Sequence, residues 1–202
     1  MAKKRPQSAP TRNGKAAVSG QIRIIGGQWR GRKLPVADLP GLRPTTDRVK
    51  ETLFNWLQFE LRDARVLDVF AGTGSLGFEA LSRGARELVM IEKANQAARQ
   101  LQQNVATLAA ADRATVICAD ALATLHGTIG TFNLVLLDPP FNQALLQPCI
   151  DQLAAGNLVA NQGWVYIECE QQLTFTTPAN WRLHREKTAG QVAYRLYQVT
   201  AA

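Results

Sequence analysis

Hydrophobic residues from about position 47 onward follow two spacings that alternate along the chain. In TTDRVKETLFNWLQFEL the apolar residues fall three and four positions apart, which predicts a helix that begins at Thr46 or Asp47. Short apolar runs typical of buried strands then alternate with stretches of helical spacing. The predicted strands are ARVLDVF, ELVMIE, ATVICAD, FNLVLLD and GWVYIECE, and the predicted helices are SLGFEALSRG, ANQAARQLQQNVATLAA, ALATLHG and QALLQPCIDQLAAG.

This alternation of strands and helices predicts an α/β fold, with a mostly parallel sheet covered by helices on both faces. We expect the last helix to be interrupted near Pro148, because proline lacks the backbone donor that a helix interior needs. The end of the chain has a different pattern, since WRLHREKTAGQVAYRLYQVT predicts two strands joined by a turn at Ala189-Gly190. These strands would form an antiparallel hairpin at one edge of a seven-stranded sheet.

The first 46 residues do not share this organisation. Residues 1–20 contain too few apolar side chains to fold and predict a disordered basic tail. Residues 21–46 interleave apolar and basic side chains in QIRIIGGQWRGRKLPV, which predicts short strands that turn at Gly26-Gly27. The sequence therefore predicts a tail, a small basic β extension at 21–46 and a main domain at 47–202.

The positive charge is concentrated in this N-terminal part. The net charge is +7, but residues 1–50 hold 12 Lys or Arg against two acidic residues, while the remainder holds 11 basic and 14 acidic residues. A basic segment on a near-neutral body favours a polyanionic partner, because Lys and Arg beside phosphates release condensed counterions. The candidates for phosphate contact are Arg23, Arg30, Arg32, Lys33, Arg43 and Arg48.

Several other classes of protein do not fit the composition. No apolar run approaches the roughly 20 residues that a membrane-spanning helix needs, and no apolar stretch follows the basic start. The three cysteines and two histidines lack metal-ligand spacing, so no metal site is predicted. We expect a soluble, cytoplasmic protein that acts as a monomer.

A glycine-rich turn follows the first predicted strand of the main domain. In LDVFAGTGSLG, Gly72, Gly74 and Gly77 form G-x-G-x-x-G between a strand and a helix, a context typical of nucleotide cofactors. The strand ends in Asp68, whose carboxylate would repel the pyrophosphate of a dinucleotide. The same carboxylate would suit the ammonium group of S-adenosylmethionine, and the glycines would let the backbone approach it closely.

Acidic residues also end the next two predicted strands. Glu92 could accept hydrogen bonds from ribose hydroxyls, and Asp120 could accept one from the adenine amino group. Either acid could instead cap the helix that follows it, and for Glu92 the two interpretations are equally good. The predicted cofactor contacts are Asp68, Phe70, Gly72, Gly74, Glu92, Asp120 and Ala121.

The fourth strand of the series ends in Asp138-Pro139-Pro140-Phe141. An amine attached to an aromatic ring is a poor nucleophile, because its lone pair is delocalised into the ring. The Asp138 carboxylate and the Pro139 carbonyl could accept the hydrogens of such an amine, and the prolines would fix the backbone that aims them. Phe141 could stack on the base. The predicted catalytic residues are therefore Asp138, Pro139 and Phe141, although a proline turn with a core phenylalanine is the structural alternative.

DPPF and the glycine loop resemble the motifs of class I S-adenosylmethionine-dependent methyltransferases, in which [DN]-P-P-[FYW] marks transfer to an amino nitrogen. Further stretches are similar to the RsmD family of bacterial 16S ribosomal RNA guanine-N2 methyltransferases. They are RIIGGQWRGRKL, LRPTTDRVKETLFNWL, DVFAGTGSLGFEALSRGA and HREKTAGQVAYRLY, and the similarity runs from about residue 21 to 198.

The resemblance implies a Rossmann-like class I methyltransferase fold and S-adenosylmethionine as cofactor. It implies amine activation at Asp138 and stacking by Phe141, and cofactor contacts at Asp68, Gly72, Gly74, Glu92 and Asp120. It also implies that the segment from Arg43 to Arg48 closes over cofactor and RNA. The implied partner is 16S rRNA in the small ribosomal subunit, with recognition that depends on bound ribosomal proteins.

Three other functions remain open at the level of sequence. N6-methylation of adenine in DNA would use the same amine-activating motif, and no residue that reads a base is identifiable. An NAD-dependent oxidoreductase would use the glycine loop but leaves Asp68 and DPPF unexplained. A pure RNA-binding module would need no acid-lined pocket.

Overall fold

The computed structural model describes residues 20–42, 45–127 and 130–201. The predicted tail, apart from Gly20, and the candidate phosphate contact Arg43 lie outside these residues. The strands are β1 (Gln21–Arg23), β2 (Lys33–Pro35), β3 (Arg65–Asp68), β4 (Glu87–Ile91), β5 (Ala114–Ile117), β6 (Phe132–Leu137), β7 (Val159–Glu170), β8 (Trp181–Ala189) and β9 (Val192–Val199). The helices are α1 (Asp47–Trp56), α2 (Ser75–Ser82), α3 (Asn95–Thr107), α4 (Ala121–Leu125) and α5 (Leu146–Ala155).

Seven strands form one sheet in the order β5-β4-β3-β6-β7-β9-β8. Strands β3 to β7 are parallel to one another, and β9 runs antiparallel between β7 and β8. This is the mostly parallel sheet with a C-terminal antiparallel hairpin that the sequence predicts, and the fold class is confirmed. Because parallel strands end at the same edge, the acidic ends of β3, β4 and β6 are brought together.

Helix α1 begins as predicted, since Thr46 accepts a hydrogen bond from the Val49 amide. The predicted interruption near Pro148 is wrong. Pro148 is the third residue of α5, within the first turn, where the backbone amides have no helical partner and a missing donor costs nothing. Strand β7 also begins at Val159, four residues before the predicted GWVYIECE.

The core lies on both faces of the sheet. One face packs against α1, α2 and α3 through side chains that include Phe54, Phe78 and Leu101. The opposite face packs against α4 and α5 through a second cluster that includes Leu125 and Ile150. No helix among the described residues has the length and apolar character to cross a membrane.

The N-terminal extension is fixed to the main domain by buried polar contacts. Strands β1 and β2 pair antiparallel, and the 3₁₀ helix Gly27–Trp29 between them overlaps the turn predicted at Gly26-Gly27. The fully buried Glu79 accepts hydrogen bonds from the Ile25 amide and from Arg83 Nε. Ile22 and Leu34 enter the same core cluster as α1, α2 and α3. The extension therefore adds to the core on that face.

Candidate active site

A cleft of about 950 Å³ opens at the carboxyl edge of the parallel strands. The loops after β3, β4, β5 and β6 form its floor and walls, and the chain between β2 and α1 covers one side. The lining includes Leu39, Leu42, Thr45, Thr46, Val49, Asp68, Phe70, Gly72, Ser75, Glu92, Ala94, Asp120, Ala121, Asp138, Pro139, Phe141, Glu168, Ala189, Val192 and Tyr194. Most of the predicted cofactor and catalytic residues therefore share one cavity.

The glycine loop adopts a backbone that favours glycine. Gly72 and Gly74 have φ values of 52° and 76°, in the left-handed region. A Cβ at Gly74 would lie 2.5 Å from Phe78 and 2.6 Å from Leu101, so this position faces the interior and does not line the cleft. A Cβ at Gly77 would lie 3.0 Å from the Asp68 carboxylate. The second and third glycines therefore allow close packing, while Gly72 borders the cleft.

Asp68 is almost fully buried at the end of β3. Its Oδ2 accepts a hydrogen bond from the Gly77 amide at 3.1 Å. Burial, and to a lesser degree the nearby Glu92, raise the pKa of Asp68 to about 7. No cationic side chain of the described residues forms an ion pair with this carboxylate. A cationic ligand group in the cleft would relieve this electrostatic cost, which fits the ammonium of S-adenosylmethionine.

Glu92 joins the glycine loop to the loop after β4. Its two carboxylate oxygens accept hydrogen bonds from the Gly72 amide at 2.9 Å and from the Ala94 amide at 2.7 Å. A carboxylate oxygen has more than one acceptor direction, so both oxygens can still receive hydroxyl donors from the cleft. The ribose role predicted for Glu92 is therefore compatible with its structural contacts.

Asp120 caps helix α4, which is the structural alternative that the sequence analysis gave for this residue. One oxygen accepts from the Ala123 amide at 3.2 Å and caps α4, and the other forms an ion pair with Lys93 at 3.1 Å. The hydrogen bond from Lys93 is the main reason why the pKa of Asp120 is lowered. Asp120 and the neighbouring Ala121 also border the cleft, so contact with the adenine stays a prediction for both.

The DPPF motif lies in the loop immediately after β6. Pro139 is buried, whereas 42% of the Phe141 surface is exposed at the margin of the cleft. This exposure shows that the ring is not part of the core, so the interpretation of Phe141 as a core residue is disfavoured. Burial is the largest cause that raises the pKa of Asp138 well above its usual range, followed by the charges of Glu168 and Asp68.

The structure places a second carboxyl group beside Asp138 that the sequence analysis missed. Leu137 on β6 pairs with Ile167 on β7, so the next residues, Asp138 and Glu168, occupy neighbouring positions. The buried Tyr166 donates its hydroxyl to Glu168 Oε2 at 2.8 Å, and burial raises the pKa of Glu168. The segment GWVYIECE does end in acids at the same edge as the other strands, which was the available signal.

The chain before α1 borders the cleft. The resemblance implied that residues 43–48, which belong to this part of the chain, close over cofactor and RNA. A Cβ at Gly72 would lie 3.2 Å from Leu42 Cδ1, so Leu42 rests on the glycine loop. Thr45, Thr46 and Val49 continue the same wall. Of this segment, residues 43 and 44 are outside the described residues.

The candidate phosphate contacts are all exposed where they are described, but they do not form one surface. Arg48 lies in the first turn of α1, beside the cleft wall. Arg32 donates to the Thr107 carbonyl at the last residue of α3, whose first turn borders the cleft. A helix of 13 residues spans about 20 Å, so Arg32 lies near the opposite end of the domain.

Comparisons with known proteins identify the family. Residues 22–198 match the family model described as Conserved hypothetical protein 95. The Ribosomal RNA small subunit methyltransferase D of Escherichia coli (strain K12) is 55% identical over 181 residues, covering 89% of this chain and 91% of that protein. Its counterpart of the same name in Haemophilus influenzae is 47% identical, covering 90% of this chain and 95% of that protein.

Solved structures agree with this assignment. The structure of yhhF from Escherichia coli is 54% identical with a TM-score of 0.83, and the match covers 91% of this chain and all of that one. An RNA methyltransferase from Salinibacter ruber, in complex with S-adenosyl-L-homocysteine, shares the fold at 15% identity with a TM-score of 0.60, over 79% of this chain and 95% of that one. The family match over nearly the whole main domain removes the oxidoreductase interpretation of the glycine loop. The chain belongs to the RsmD family, that of the ribosomal RNA small subunit methyltransferases D.

Proposed function

We propose that this chain transfers a methyl group to the exocyclic N2 amine of a specific guanine in 16S rRNA of the small ribosomal subunit. As a member of its family, the chain is an rRNA methyltransferase, and S-adenosylmethionine is its methyl donor. The base and the atom that accept the methyl group are what the proposal adds. The protein would act as a cytoplasmic monomer on small subunits that carry bound ribosomal proteins.

The pair of carboxyl groups at Asp138 and Glu168 is the observation that carries the choice of guanine. The Watson–Crick edge of guanine presents the N1 hydrogen and the N2 amine side by side, and both are donors. Ionised carboxylates only accept, so two of them side by side match this edge, and the two donors of guanine would favour the ionised form that burial disfavours. Adenine presents its amine beside the N1 lone pair. This lone pair would face the Glu168 carboxylate, and two acceptors cannot form a hydrogen bond with each other. Glu168 therefore favours guanine N2 over adenine N6, which the DPPF motif alone does not distinguish.

The chemistry at the amine follows from the residues of DPPF. Asp138 and the Pro139 carbonyl accept the two amine hydrogens, which favours a pyramidal nitrogen with its lone pair available. When bound, S-adenosylmethionine supplies a methyl group on a cationic sulfur. The lone pair made available by Asp138 and the Pro139 carbonyl would take this methyl group, and the sulfur would leave as a neutral thioether. Asp138 then takes the proton that the amine loses, and its raised pKa suits this role.

The cofactor would be held by the residues that line the other half of the cleft. Asp68 would neutralise its ammonium group, because this buried carboxyl has no other cationic partner among the described residues. Glu92 would accept the ribose hydroxyls, and Asp120 with Ala121 would border the adenine. Phe70, Gly72 and Gly74 would shape the loop around the donor.

Phe141 would hold the target base in the cleft. Its exposed ring lies at the margin, next to Asp138, where a base extruded from the RNA could stack on it. Stacking would hold the base plane while Asp138 and Glu168 fix its edge.

Mapping of the modified nucleotide tests the proposal. Ribosomal RNA from cells with and without this gene is compared by mass spectrometry of nuclease fragments, with Asp138→Ala as a complementing allele. The expected result is one N2-methylguanosine in 16S rRNA that depends on the gene and on Asp138. Purified enzyme is also assayed on DNA and on undermethylated small subunits. Methyl transfer to adenine, or to DNA in preference to subunits, would refute the proposal.

A further inference from the structure

Strand β8 carries a row of basic residues on the face of the sheet that holds the cleft. In the β8–β9 pairing, Arg185 lies opposite Leu196 and Lys187 opposite Tyr194. Leu196 and Tyr194 belong to the core cluster on the α1 side, so their partners point to that side as well. Arg182 lies opposite Gln198 and has the same orientation. We call Arg182, Arg185 and Lys187 the β8 basic face.

The acidic residue of β8 points to the other side of the sheet. Glu186 pairs with Arg195, and the two side chains form an ion pair at 2.6 Å. Arg195 also contacts Cys169, which lies in the core cluster under α4 and α5. The β8 basic face therefore carries no acid from its own strand. Its three side chains are exposed, and β8 is the last strand of the sheet.

The Lys187 end of this face adjoins the cleft, whereas the row of Arg182, Gln198 and Trp164 lies four residues, about 13 Å, farther along the sheet. Glu168, Tyr194 and Lys187 lie opposite one another on β7, β9 and β8, so one row of residues runs from beside Asp138 to the edge strand. Three interstrand spacings separate β6 from β8, which is about 14 Å. Ala189, the last residue of β8, and Tyr194 both line the cleft.

Helix α1 borders the same surface. The Trp56 ring packs on Tyr194 with a centroid distance of 5.9 Å. Arg48 lies eight residues before Trp56, in the first turn of α1, and is turned about 80° around the helix from it. It is exposed, next to Thr46 and Val49 of the cleft wall. Arg48 thus adds a positive charge beside the cleft wall.

We propose that the β8 basic face, together with Arg48, binds the phosphate backbone of the RNA strand whose target base enters the cleft. The inference rests on the proposed function in taking an RNA base as the substrate. It moves the main phosphate contacts from the N-terminal extension to the C-terminal hairpin. Arg30 and Arg32 lie toward the other end of the domain, where contacts would not guide a base to Asp138.

Charged residues on an edge strand also prevent pairing with other sheets, and this is the alternative explanation of the β8 basic face. A charge of either sign, on either face of the strand, would be enough to prevent such pairing. Here the positive side chains share the face of the cleft, while Glu186 is turned away and neutralised. Burial, Arg185 and Arg182 lower the pKa of His184, and the nearby Glu60 opposes them more weakly.

Chemical footprinting on the wild-type chain tests the proposal without any mutation. The protein is treated with an amine-acetylating reagent, alone and in complex with small subunits from cells that lack the gene, and modified peptides are quantified. Lys187 should be protected several-fold in the complex. Lys33, exposed on β2, should keep its reactivity. Reactive Lys187 in the bound complex would overturn the proposal.

A charge-removal variant gives a second, quantitative test. In R182A/R185A/K187A we expect the slope of log affinity for the subunit RNA against log salt to fall by about 2, at about 0.7 for each lost single-strand phosphate contact. The matched control R62A/R86A/R99A removes three exposed arginines elsewhere and should keep the wild-type slope. Thermal midpoint and cofactor affinity, measured on both variants, should match the wild type and exclude misfolding.

An unchanged salt slope in R182A/R185A/K187A would overturn the proposal. Complete loss of the salt dependence in R30A/R32A/K33A would overturn it as well. These outcomes are independent of the base that is methylated. If mapping found another base while Lys187 was protected, the guanine proposal alone would fail. If guanine N2 was confirmed and Lys187 stayed reactive, only the RNA surface would be wrong.

Discussion

Asp138 and Glu168 lie at the ends of two adjacent parallel strands, and the charge of Glu168 is the largest contribution after burial to the raised pKa of Asp138. Neither carboxyl has an ion-pair partner within the described part of the chain. Two ionised carboxylates this close repel each other unless hydrogen-bond donors lie between them. The N1 and N2 hydrogens of guanine would be such donors, so substrate binding would relieve the repulsion.

Replacement of Asp138 by alanine should abolish methyl transfer while the cofactor still binds. Loss of one preorganised group that stabilises a transition state typically costs about 10²–10³ in rate, and we expect at least this loss in single-turnover assays. Asp138→Asn should retain part of the activity, because its amide oxygen still accepts one hydrogen of the amine. The exposed Asp112→Ala serves as control and should behave as wild type. Near-normal turnover in Asp138→Ala would contradict the mechanism.

Glu168→Gln should shift the pH dependence of catalysis to lower pH. Activity requires the ionised Asp138, so it rises as pH passes upward through the raised pKa of this carboxyl. Glutamine removes the negative charge that contributes to that rise, and the pKa of Asp138 moves back toward its ordinary value. The measurement is kcat/KM against pH, with the exposed Glu51→Gln as control. An unchanged midpoint would show that the two carboxyls are not coupled in catalysis.

Glu168 should also determine selectivity at the N1 position of the base. Substrate RNA with 2-aminopurine at the target position keeps the 2-amine but has a lone pair at N1. Wild-type enzyme should prefer guanine by about tenfold or more, given about 1–3 kcal/mol for a hydrogen-bonded base contact. Glu168→Gln should reduce this preference, because the Tyr166 hydroxyl holds the amide oxygen and turns the NH2 group toward N1.

The Tyr166→Phe variant tests whether the Tyr166 hydroxyl positions Glu168, without a large effect on folding. The Tyr166 ring is fully buried, and phenylalanine preserves its volume, so the fold and cofactor binding should survive. Loss of the hydroxyl leaves Glu168 without its 2.8 Å donor, and we expect a weaker preference for guanine over 2-aminopurine. A preference equal to that of the wild type would mean that Glu168 needs no such support.

The sequence predicted the strand ends but not which of them would be neighbours. Asp68, Glu92 and Asp138 each follow an apolar run, and parallel topology brings such ends to one edge, so the cleft could be anticipated. The position of Glu168 beside Asp138 depends on the register of β6 against β7, which arises only from tertiary packing. The position of the N-terminal charge cluster could not be derived from composition either, and its contact with phosphates stays a prediction. Composition singled out Arg30 and Arg32, but the docking of the 3₁₀ helix against the end of α2 carries them away from the cleft.

Glu79→Ala should detach the N-terminal extension from the helical layer. The change removes the acceptor of the Ile25 amide and leaves Arg83 without its partner in a buried setting. Loss of one member of a buried ion pair typically costs about 3–5 kcal/mol, so we expect a lower free energy of unfolding by about this amount in denaturant titrations. Hydrogen exchange at residues 21–36 should rise in parallel, whereas the exposed Glu51→Ala should change neither quantity. Normal protection of β1 and β2 would show that apolar packing alone holds the extension.

Asp68 should make cofactor binding release a proton. Its pKa of about 7 without ligand lies well above the ordinary 3.8, so the carboxyl is mostly protonated at pH 6. A cationic ammonium favours the ionised form and lowers the pKa, so binding at pH 6 should release close to one proton. Calorimetry of S-adenosylmethionine binding in two buffers with different ionisation enthalpies measures this number directly.

The same shift predicts how Asp68 affects the stability of the cofactor-free protein. Because its pKa is raised on folding, the folded chain binds a proton more tightly than the unfolded chain, and stability falls as pH rises from about 4 to about 7. Asp68→Asn removes this penalty, which is at most about 4 kcal/mol for a shift of about three pKa units. The variant should therefore exceed the wild type in free energy of unfolding at pH 8, match it near pH 4, and lose both cofactor affinity and proton release. Lower stability of the variant at pH 8 would contradict the raised pKa of Asp68. Cofactor binding that still releases a proton would show that Asp68 does not hold the ammonium group.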